Sequence, residues 1–466
     1  MFFILLLAAT GLLVTSAALD KRMSAAAAVM LVLLAPCWIY TDIGAIRIDV
    51  RMGIALVYLA CVALHPQSSY RLRFVAADLI VLALIAAQIT SEFLTSATAV
   101  SVTPDIILQW GVPYLFGRIA WRSAEDQSRN FAAIVNVCVV LSVWAAIESV
   151  TRMNPVGKLL GFDGSIQAMT DLRWGLRRAE ANLTHPIFFG LQLAMLFPFA
   201  MAAARQSREG HGPAWWRYVP WIVGAGTFFT MSRGPQLAIL LTLAVAYAVR
   251  FPRYRLLVLV PLVCAIGLVG LRINQAVELL QLWSGEDSSM LLVIKGEPVH
   301  YTGTSHRLLQ LRVYEEAVAH AGWFGYGSVA LAATDVKIPY IEEHLRQMFF
   351  SIDNHYLQFV LQNGYVGITL FVILCLTSAY YAATSAVAGT DDRRYFGAYF
   401  AAMFIAVAVL VFTVWLASDY RFVLLAMFGA AGSLPRYRAA PAQPAKPVAG
   451  VTLQLTPGHP SLSLVR

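Results

Sequence analysis

Charge is the first thing this chain lacks. Asp, Glu, Lys and Arg make up only 13% of its 466 residues, while hydrophobic residues make up 59%; a soluble domain carries about 25% charged residues. A deficit of this size excludes an ordinary water-soluble enzyme. Most side chains must face lipid or other buried helices, where a charge is costly. Chemical motifs are missing as well. There is no Walker sequence, no GxGxxG after a strand, no HExxH and no acidic DxD-like sugar-nucleotide motif. These absences argue against a nucleotide-driven pump and against a metal-dependent cytoplasmic transferase. Cys37, Cys61, Cys138, Cys264 and Cys375 all lie inside apolar runs, without a CxxC pair or a metal spacing. They read as small hydrophobes rather than as disulfides or ligands. No metal or other cofactor is expected, and no repeat of fixed period is present.

What the chain does have is a series of apolar stretches long enough, or nearly so, to cross a bilayer. They fall near 2–19, 24–40, 52–66, 74–90, 104–120, 131–150, 184–204, 215–231, 233–250, 254–271, 355–385, 395–417 and 420–435. Those near 52–66 and 104–120 are short or interrupted by Pro and Gly, so the count is 12 or 13. Only helices satisfy their own backbone in lipid, and no alternating barrel pattern appears. The expected fold is an all-α, polytopic integral membrane protein over 1–438, followed by a Pro- and Ala-rich tail at 439–466, disordered in the cytoplasm. The first run lacks a basic n-region and is followed by Lys21 and Arg22, which suits an uncleaved first helix better than a signal peptide.

The net charge of +8 invites the idea of nucleic acid, but the basic residues form no single patch. They mark alternate junctions: Lys21 and Arg22; Arg71 and Arg73; Arg122 and Arg129; Arg205, Arg208 and Arg217; Arg250, Arg253 and Arg255; Arg393 and Arg394; Arg436 and Arg438. These are topology signals and place those loops and the C-terminus in the cytoplasm. Two long segments, 151–183 and 272–354, then lie outside. The first is basic against the rule, and the short outer junction at 231–234 holds Arg233. An anionic ligand at the outer surface is one reason for such placement; free translocation of long loops is the other.

Several residue groups on that side could carry chemistry. His355, Gln358 and Gln362 share a helix face at the head of an apolar span, beside Tyr356, and Asn363-Gly364 breaks that helix. His355 could take a proton from a hydroxyl, with Asp353 as its orienting partner or with no role. Ser232 is a cap candidate for a helix that carries Pro235 in its first turn, an arrangement that accepts anions, and Arg233 adds a planar fork for phosphate. Arg307 follows His306 at the start of a helix-like stretch over 305–320, which ends before the Gly-rich turn Phe324-Gly325-Tyr326-Gly327. Arg177 and Arg178 precede His185-Pro186 at the start of a span; Asn182-Leu183-Thr184 between them matches a glycosylation sequon. Glu148 and Asp78 are the clearest intramembrane acids. Glu148 falls at the outer end of its span. Asp78 falls at the inner end, within reach of Arg71 or Arg73, and Arg118 reads there as a snorkelling anchor.

Taken in order, these features resemble the O-antigen ligase and O-antigen polymerase superfamily of bacterial inner membranes. Pro113-Tyr114-Leu115-Phe116-Gly117-Arg118 looks like its "PYLxGR" stretch, with Phe116 where an aliphatic residue is usual. Arg178 through His185-Pro186 to Phe188-Phe189-Gly190 looks like its "R…HP…G" element, and Ser232-Arg233-Gly234 like its "SRG" helix start. Arg307 sits where the long periplasmic loop of the family holds an Arg. Asn354-His355-Tyr356-Leu357-Gln358, then Gly364 and Gly367, is similar to "HNxYLQ…G…G", with Asn and His in reversed order. The resemblance spans about 104–370. It implies a periplasmic, metal-independent glycosyl transfer from an undecaprenyl-diphosphate-linked glycan to a hydroxyl acceptor. His355, Arg233 and Arg307 would be the catalytic residues. Arg177, Arg178, His185, Gln358, Tyr356 and Glu148 would bind substrate. The partners implied are undecaprenyl-diphosphate-linked glycans, membrane lipids, a flippase and chain-length regulator proteins, with no nucleic acid. Three activities are compatible: a polymerase of lipid-linked repeat units, favoured by Arg177-Arg178 ahead of His185-Pro186; a ligase acting on a lipid core or a protein; and a lipid-glycan flippase or other transporter. A transporter should show inverted repeats meeting at the midplane, and none is evident.

Overall fold

The computed structural model describes residues 1–19, 23–64, 73–95, 99–122, 124–162, 164, 172–251, 253, 256, 290–294, 297–301, 305–328, 341, 345, 349, 351–388, 391–414 and 416–434. The expected span at 254–271 and the tail from 439 lie outside these residues, as do Lys21, Arg22, Arg71, Arg255, Arg436 and Arg438.

The chain is a helical, polytopic membrane protein. In order, the helices are α1 (Phe2–Leu19), α2 (Met23–Leu34), α3 (Val50–Leu64), α4 (Ala76–Thr95), α5 (Ala99–Ala120), α6 (Ala124–Thr151), the short α7 (Pro155–Leu160), α8 (Pro186–Arg208), α9 (Val219–Phe229), α10 (Arg233–Arg250), α11 (His306–His320), α12 (His355–Ala388), α13 (Asp391–Leu410) and α14 (Ser418–Ser433). Among the described residues, four are long and apolar enough to cross a membrane: α4, α6, α8 and α12. Shorter apolar helices lie in α1, α2, α3 and α13. The stretch read as a span at 215–231 divides into a 3-10 turn (Ala214–Tyr218) and the 11-residue α9, because Pro220 suits only the first turn of a helix. Two antiparallel hairpins add to the helices: β1 (Tyr40–Ile43) with β2 (Ile46–Asp49), and β3 (Met290–Ile294) with β4 (Glu297–Tyr301).

Because successive helices run antiparallel, the bundle has two chemically distinct ends. At one end, Arg205 and Arg250 both lie over the Tyr395 ring, at 5.0 and 4.8 Å. Arg118 at the same end donates to the Arg73 carbonyl. We call this the basic end. The opposite end gathers the C-termini of α4, α6, α9 and α13 and the N-termini of α5, α8, α10, α12 and α14. Hydrogen bonds tie these termini together: Ala179 N–H to the Phe229 carbonyl, His355 N–H to the Val411 carbonyl, and Thr184 N–H to Asp419. Every candidate site residue whose side chain is described belongs to this second end.

The basic end is held by a buried ion pair. Arg71, one of the two partners expected from sequence, lies outside the described residues; the acid of the pair is Asp78. It takes Arg118 in a two-pronged contact, Nε to Oδ1 at 2.9 Å and Nη2 to Oδ2 at 3.1 Å. Tyr114 Oη donates to Oδ1 at 2.6 Å and the Val75 N–H to Oδ2 at 2.8 Å. Arg118 is 1% exposed and also donates to Ser433 Oγ, so it is a structural cation rather than a snorkelling anchor. It reaches Ser433 because α5 and α14 touch backbone to backbone. A Cβ on Gly117 would fall 1.9 Å from the Ala426 carbonyl oxygen, and one on Gly429 2.1 Å from that of Tyr114. Small residues at a helix crossing permit this approach in lipid. Asp78→Ala should therefore leave a buried guanidinium unpaired and cost about 3–5 kcal/mol. The expected outcome is a clearly lowered Tm in detergent, largely restored by Asp78→Ala with Arg118→Met; an unchanged Tm for the single variant would remove the pair from the account of stability.

Candidate functional site

One part of the site is the segment 172–185, threaded between α6 and the α9–α10 turn. Glu148, fully buried near the end of α6, accepts the Ala181 N–H at Oε2 (2.8 Å) and faces Arg177 Nε at Oε1 (3.5 Å). Glu180 lies 3.7 Å from Arg177 Nη2, and the Arg177 backbone exchanges hydrogen bonds with Ser149. Arg178 donates through Nη2 to Ser232 Oγ at 3.0 Å and through Nε toward the Thr230 carbonyl at 3.4 Å. Arg173 reaches the Met231 carbonyl at 2.7 Å. Arg177 and Arg178, 4% and 6% exposed, thus spend their guanidinium groups on this segment and its neighbours. Arg233, next to Ser232 at the head of α10, keeps an exposed side chain.

The backbone here is strained. Among the described residues, the non-glycine positions with positive φ are Arg152, Trp174, Ala181 and Met231, and all belong to this part of the molecule. Each such conformation costs on the order of 1–3 kcal/mol and persists only where neighbours enforce it. Glu148 on Ala181 and Arg173 on Met231 are those neighbours. One sequence expectation is corrected here, and one weak motif match is set aside. Ser232 occupies the cap position of α10 but does not cap it; its hydroxyl donates to the Thr230 carbonyl and accepts from Arg178. Asn182 is fully buried and donates to the Leu33 carbonyl, which rules it out as a glycan acceptor in the folded protein. His185 caps α8, its Nδ1 accepting the Ile187 N–H at 3.1 Å, so the neutral ring carries its proton on Nε2.

The second part of the site is α12, and its shape follows from one residue. Gly364 has φ 62° and ψ −165°, a conformation closed to side chains, and it breaks the helix where Asn363-Gly364 is expected to. In a straight helix the side chains of residues 355 and 371 would stand about 24 Å apart. Their rings are 5.0 Å apart, and Phe359 and Phe371 are at 5.7 Å. The segment 355–363 therefore folds back along 365–388, and His355 lies alongside the span rather than at its outer tip. The backbone groups freed at the break are taken up by the Gly-rich turn. Tyr326 and Gly327 N–H donate to the Leu361 and Gln362 carbonyls, while Tyr365 and Val366 N–H donate to those of Gly322 and Trp323. Ser91 Oγ adds a bond to the Gln362 carbonyl at 2.6 Å. Glu92 holds the end of the turn by accepting the Ser328 N–H and hydroxyl, both at 2.5 Å.

His355 is 4% exposed, and neither ring nitrogen has a partner among the described residues. Asp353 does not orient it: it accepts from Ser351 Oγ, and its N–H donates to Gln310 Oε1. The imidazole is enclosed by Phe359 and Phe371 instead. Tyr356 Oη donates to the Ala408 carbonyl at 2.5 Å, and Gln358, three positions on from His355, is half-buried. Arg307 falls in the first turn of α11; its side chain lies outside the described residues. That turn is fixed by its neighbour His306. Gln310 Oε1 accepts the Asp353 N–H, so its amide nitrogen is the group donating to Ser351 O and to His306 Nε2. His306 must then carry its proton on Nδ1 and donate it to Tyr301 Oη at 3.1 Å.

The structure also brings in residues that sequence reasoning missed. Arg51, 1% exposed, pairs with Asp49 and donates to the Asp419 carbonyl; Asp419 in turn accepts the Thr184 N–H and hydroxyl. Through Phe188 and Tyr420, whose rings are 5.3 Å apart, this cluster links the start of α8 to α14. The signal was present: Arg51 and Arg421 are basic residues at the same end as Arg233, against the topology bias. Among the described residues, no group of three His, Cys, Asp or Glu is placed to hold a metal ion.

Gly364→Ala should be damaging beyond the cost of the backbone angle, since its Cβ would meet the Trp323 carbonyl at 2.3 Å. The expected outcome is a lowered Tm together with faster protease cleavage within 321–328, as the turn is pushed off the break. Wild-type values for both would show that the turn does not depend on this glycine.

No curated protein matches the chain. A match to a protein-family model covers α9, α10, α11 and the folded-back half of α12. Residues 219–372, which hold Arg233, Arg307 and His355, match the family described as O-antigen ligase, in agreement with the O-antigen ligase and polymerase superfamily that the motifs resemble.

Proposed function

We propose that this protein polymerises undecaprenyl-diphosphate-linked oligosaccharide repeat units at the periplasmic face of the bacterial inner membrane. The family match points to a glycosyltransferase-like membrane enzyme of the O-antigen ligase and polymerase type. The observation that carries the finer reading is the segregation of the bundle. Arg233, the Arg177–Arg178 segment, His185 and the His355 hairpin share the end opposite the basic loops. The excess of Arg at the basic end marks it as cytoplasmic, which leaves the other end to a periplasmic, lipid-linked donor.

In this reading an acceptor hydroxyl attacks the anomeric carbon of the donor sugar. The new glycosidic bond forms as the bond to the diphosphate breaks, with inversion at that carbon. The hydroxyl proton passes to His355, at a ring nitrogen that no described group occupies. The departing diphosphate gains charge in the transition state, and Arg233 and Arg307 stabilise it without a metal ion. Arg177, Arg178 and Glu148 hold the strained segment that presents His185 and the turn before Arg233, while Tyr356 and Gln358 line the hairpin. A polymerase must hold two lipid diphosphates, which favours an end of the bundle rich in arginine. The name of the matched family favours a second reading, transfer of finished glycan to a lipid core or protein.

Purified protein supplied only with lipid-linked repeat units decides between them. The expected outcome is a ladder of longer lipid-linked glycans. No elongation, but transfer once lipid core or an acceptor protein is added, would establish the ligase reading instead. Arg233→Ala should lower the rate by about a hundredfold or more at unchanged Tm, because its side chain is exposed, and His355→Ala by a similar factor. Full activity of either variant would remove that residue from the chemistry.

A further inference from the structure

Arg421 differs from its neighbours at the site end. Arg47 pairs with Asp42, Arg51 with Asp49, and Arg177 with Glu148 and Glu180. Arg421, in the first turn of α14, has no carboxylate within ion-pair distance among the described residues. Its Nη2 donates to Gln109 Oε1 at 3.3 Å, and its guanidinium carbon lies 5.7 Å from the Trp110 ring centroid. Asp49, Asp105 and Asp419 act on it only as more distant charges. Each of these is already engaged: Asp49 by Arg51 and the Met52 N–H, Asp105 by the Arg47 N–H, and Asp419 by Thr184. The guanidinium has five N–H donors, and one is used by a side chain. A half-buried cation with no counter-ion in contact is costly unless an anion completes it.

Arg421 shares this end with another under-satisfied group, His355. The two are joined by a continuous run of rings, Arg421 on Trp110, Trp110 on Phe359 at 5.8 Å, and Phe359 on His355 at 4.8 Å. His355 brings two unpartnered ring nitrogens. A planar donor fork and an imidazole, on an aromatic floor with no carboxylate in contact, suit a ligand with several oxygen acceptors and negative charge.

We propose that Arg421 anchors a binding site, with His355 at its edge, for the phosphate or diphosphate head of a lipid. The inference rests on the polymerase reading for its preferred occupant, a polyprenyl diphosphate, and supplies a cationic position on α14 distinct from Arg233 on α10. Binding to protein in phosphatidylcholine nanodiscs tests it without any transfer assay. Undecaprenyl diphosphate should bind the wild type and an Arg205→Gln control from the basic end alike. Arg421→Gln should weaken binding by about tenfold or more, with Arg421→Lys intermediate because it keeps the charge and loses the fork. In the wild type, bound lipid should also protect Arg421 from phenylglyoxal, read by mass spectrometry, a measurement that needs no variant to fold. Unchanged binding by a folded Arg421→Gln, or equal modification with and without lipid, would overturn the site while leaving the proposed function standing. A wild type that binds no undecaprenyl diphosphate would overturn both. Competition by phosphatidylglycerol at equal concentration would support the phosphate site and assign it to bulk lipid headgroups.

Discussion

A helix can be broken inside a membrane only if the backbone groups freed at the break find partners, since lipid offers none. In this protein that requirement is met at Gly364 by the turn 322–327, which gives two N–H groups to the helix carbonyls and takes two in return. The rest of the site depends on the exchange. Because the break is satisfied, 355–363 can double back on 365–388, and His355 comes to lie against Phe371 instead of at the end of a rod. Because the turn is spent on the break, α11 and the network from Tyr301 through His306 and Gln310 to Asp353 are drawn toward the entry of the same helix. The loop and the span are one unit, coupled through main-chain hydrogen bonds that side-chain substitution cannot easily remove.

The arginines of the chain divide by what they touch. Arg118, Arg51, Arg177 and Arg178 are buried and occupied, each tying together helices far apart in sequence. A buried ion pair adds little net stability over an apolar packing of the same volume, but it is strongly disfavoured to break, so it fixes one arrangement among many. In an apolar bundle, where helices can slide on one another with small penalty, that selectivity is valuable. Two other arginines of the site end differ from these: Arg233 is exposed, and Arg421 has no contacting carboxylate among the described residues. Strained backbone at Ala181 and Met231 is held by buried or bonded side chains, Glu148 and Arg173, just ahead of Arg233 in the case of Met231.

Much of the fold was readable from residue order. Apolar runs and interruptions gave the helices, the alternation of basic loops gave two ends, and Asn363-Gly364 marked the break. The helix at 305–320 and its end before the Gly-rich turn also followed from local pattern. What misled was pairing. Asp78 has basic neighbours in sequence, Arg71 and Arg73, but the arginine that grips it with two prongs is Arg118, 40 positions on, brought over by the glycine contact of α5 with α14. Arg177 and Arg178 read from sequence as substrate contacts; in the fold Arg177 lies between Glu148 of α6 and Glu180, and Arg178 bonds Ser232 ahead of α10. Arg421 drew no notice because a lone arginine at the mouth of a span resembles an interfacial anchor.

By itself, then, the sequence determined that this is a membrane bundle, which residues are costly in it, and at which end they gather. Those properties depend on transfer between water and lipid, which each segment settles alone. Only the tertiary structure decided which charges neutralise one another, that α12 folds back, and that a run of rings joins His355 to Arg421. These depend on contacts between segments tens to hundreds of residues apart, and a charge reveals whether it is structural or available only when the groups opposite it are known.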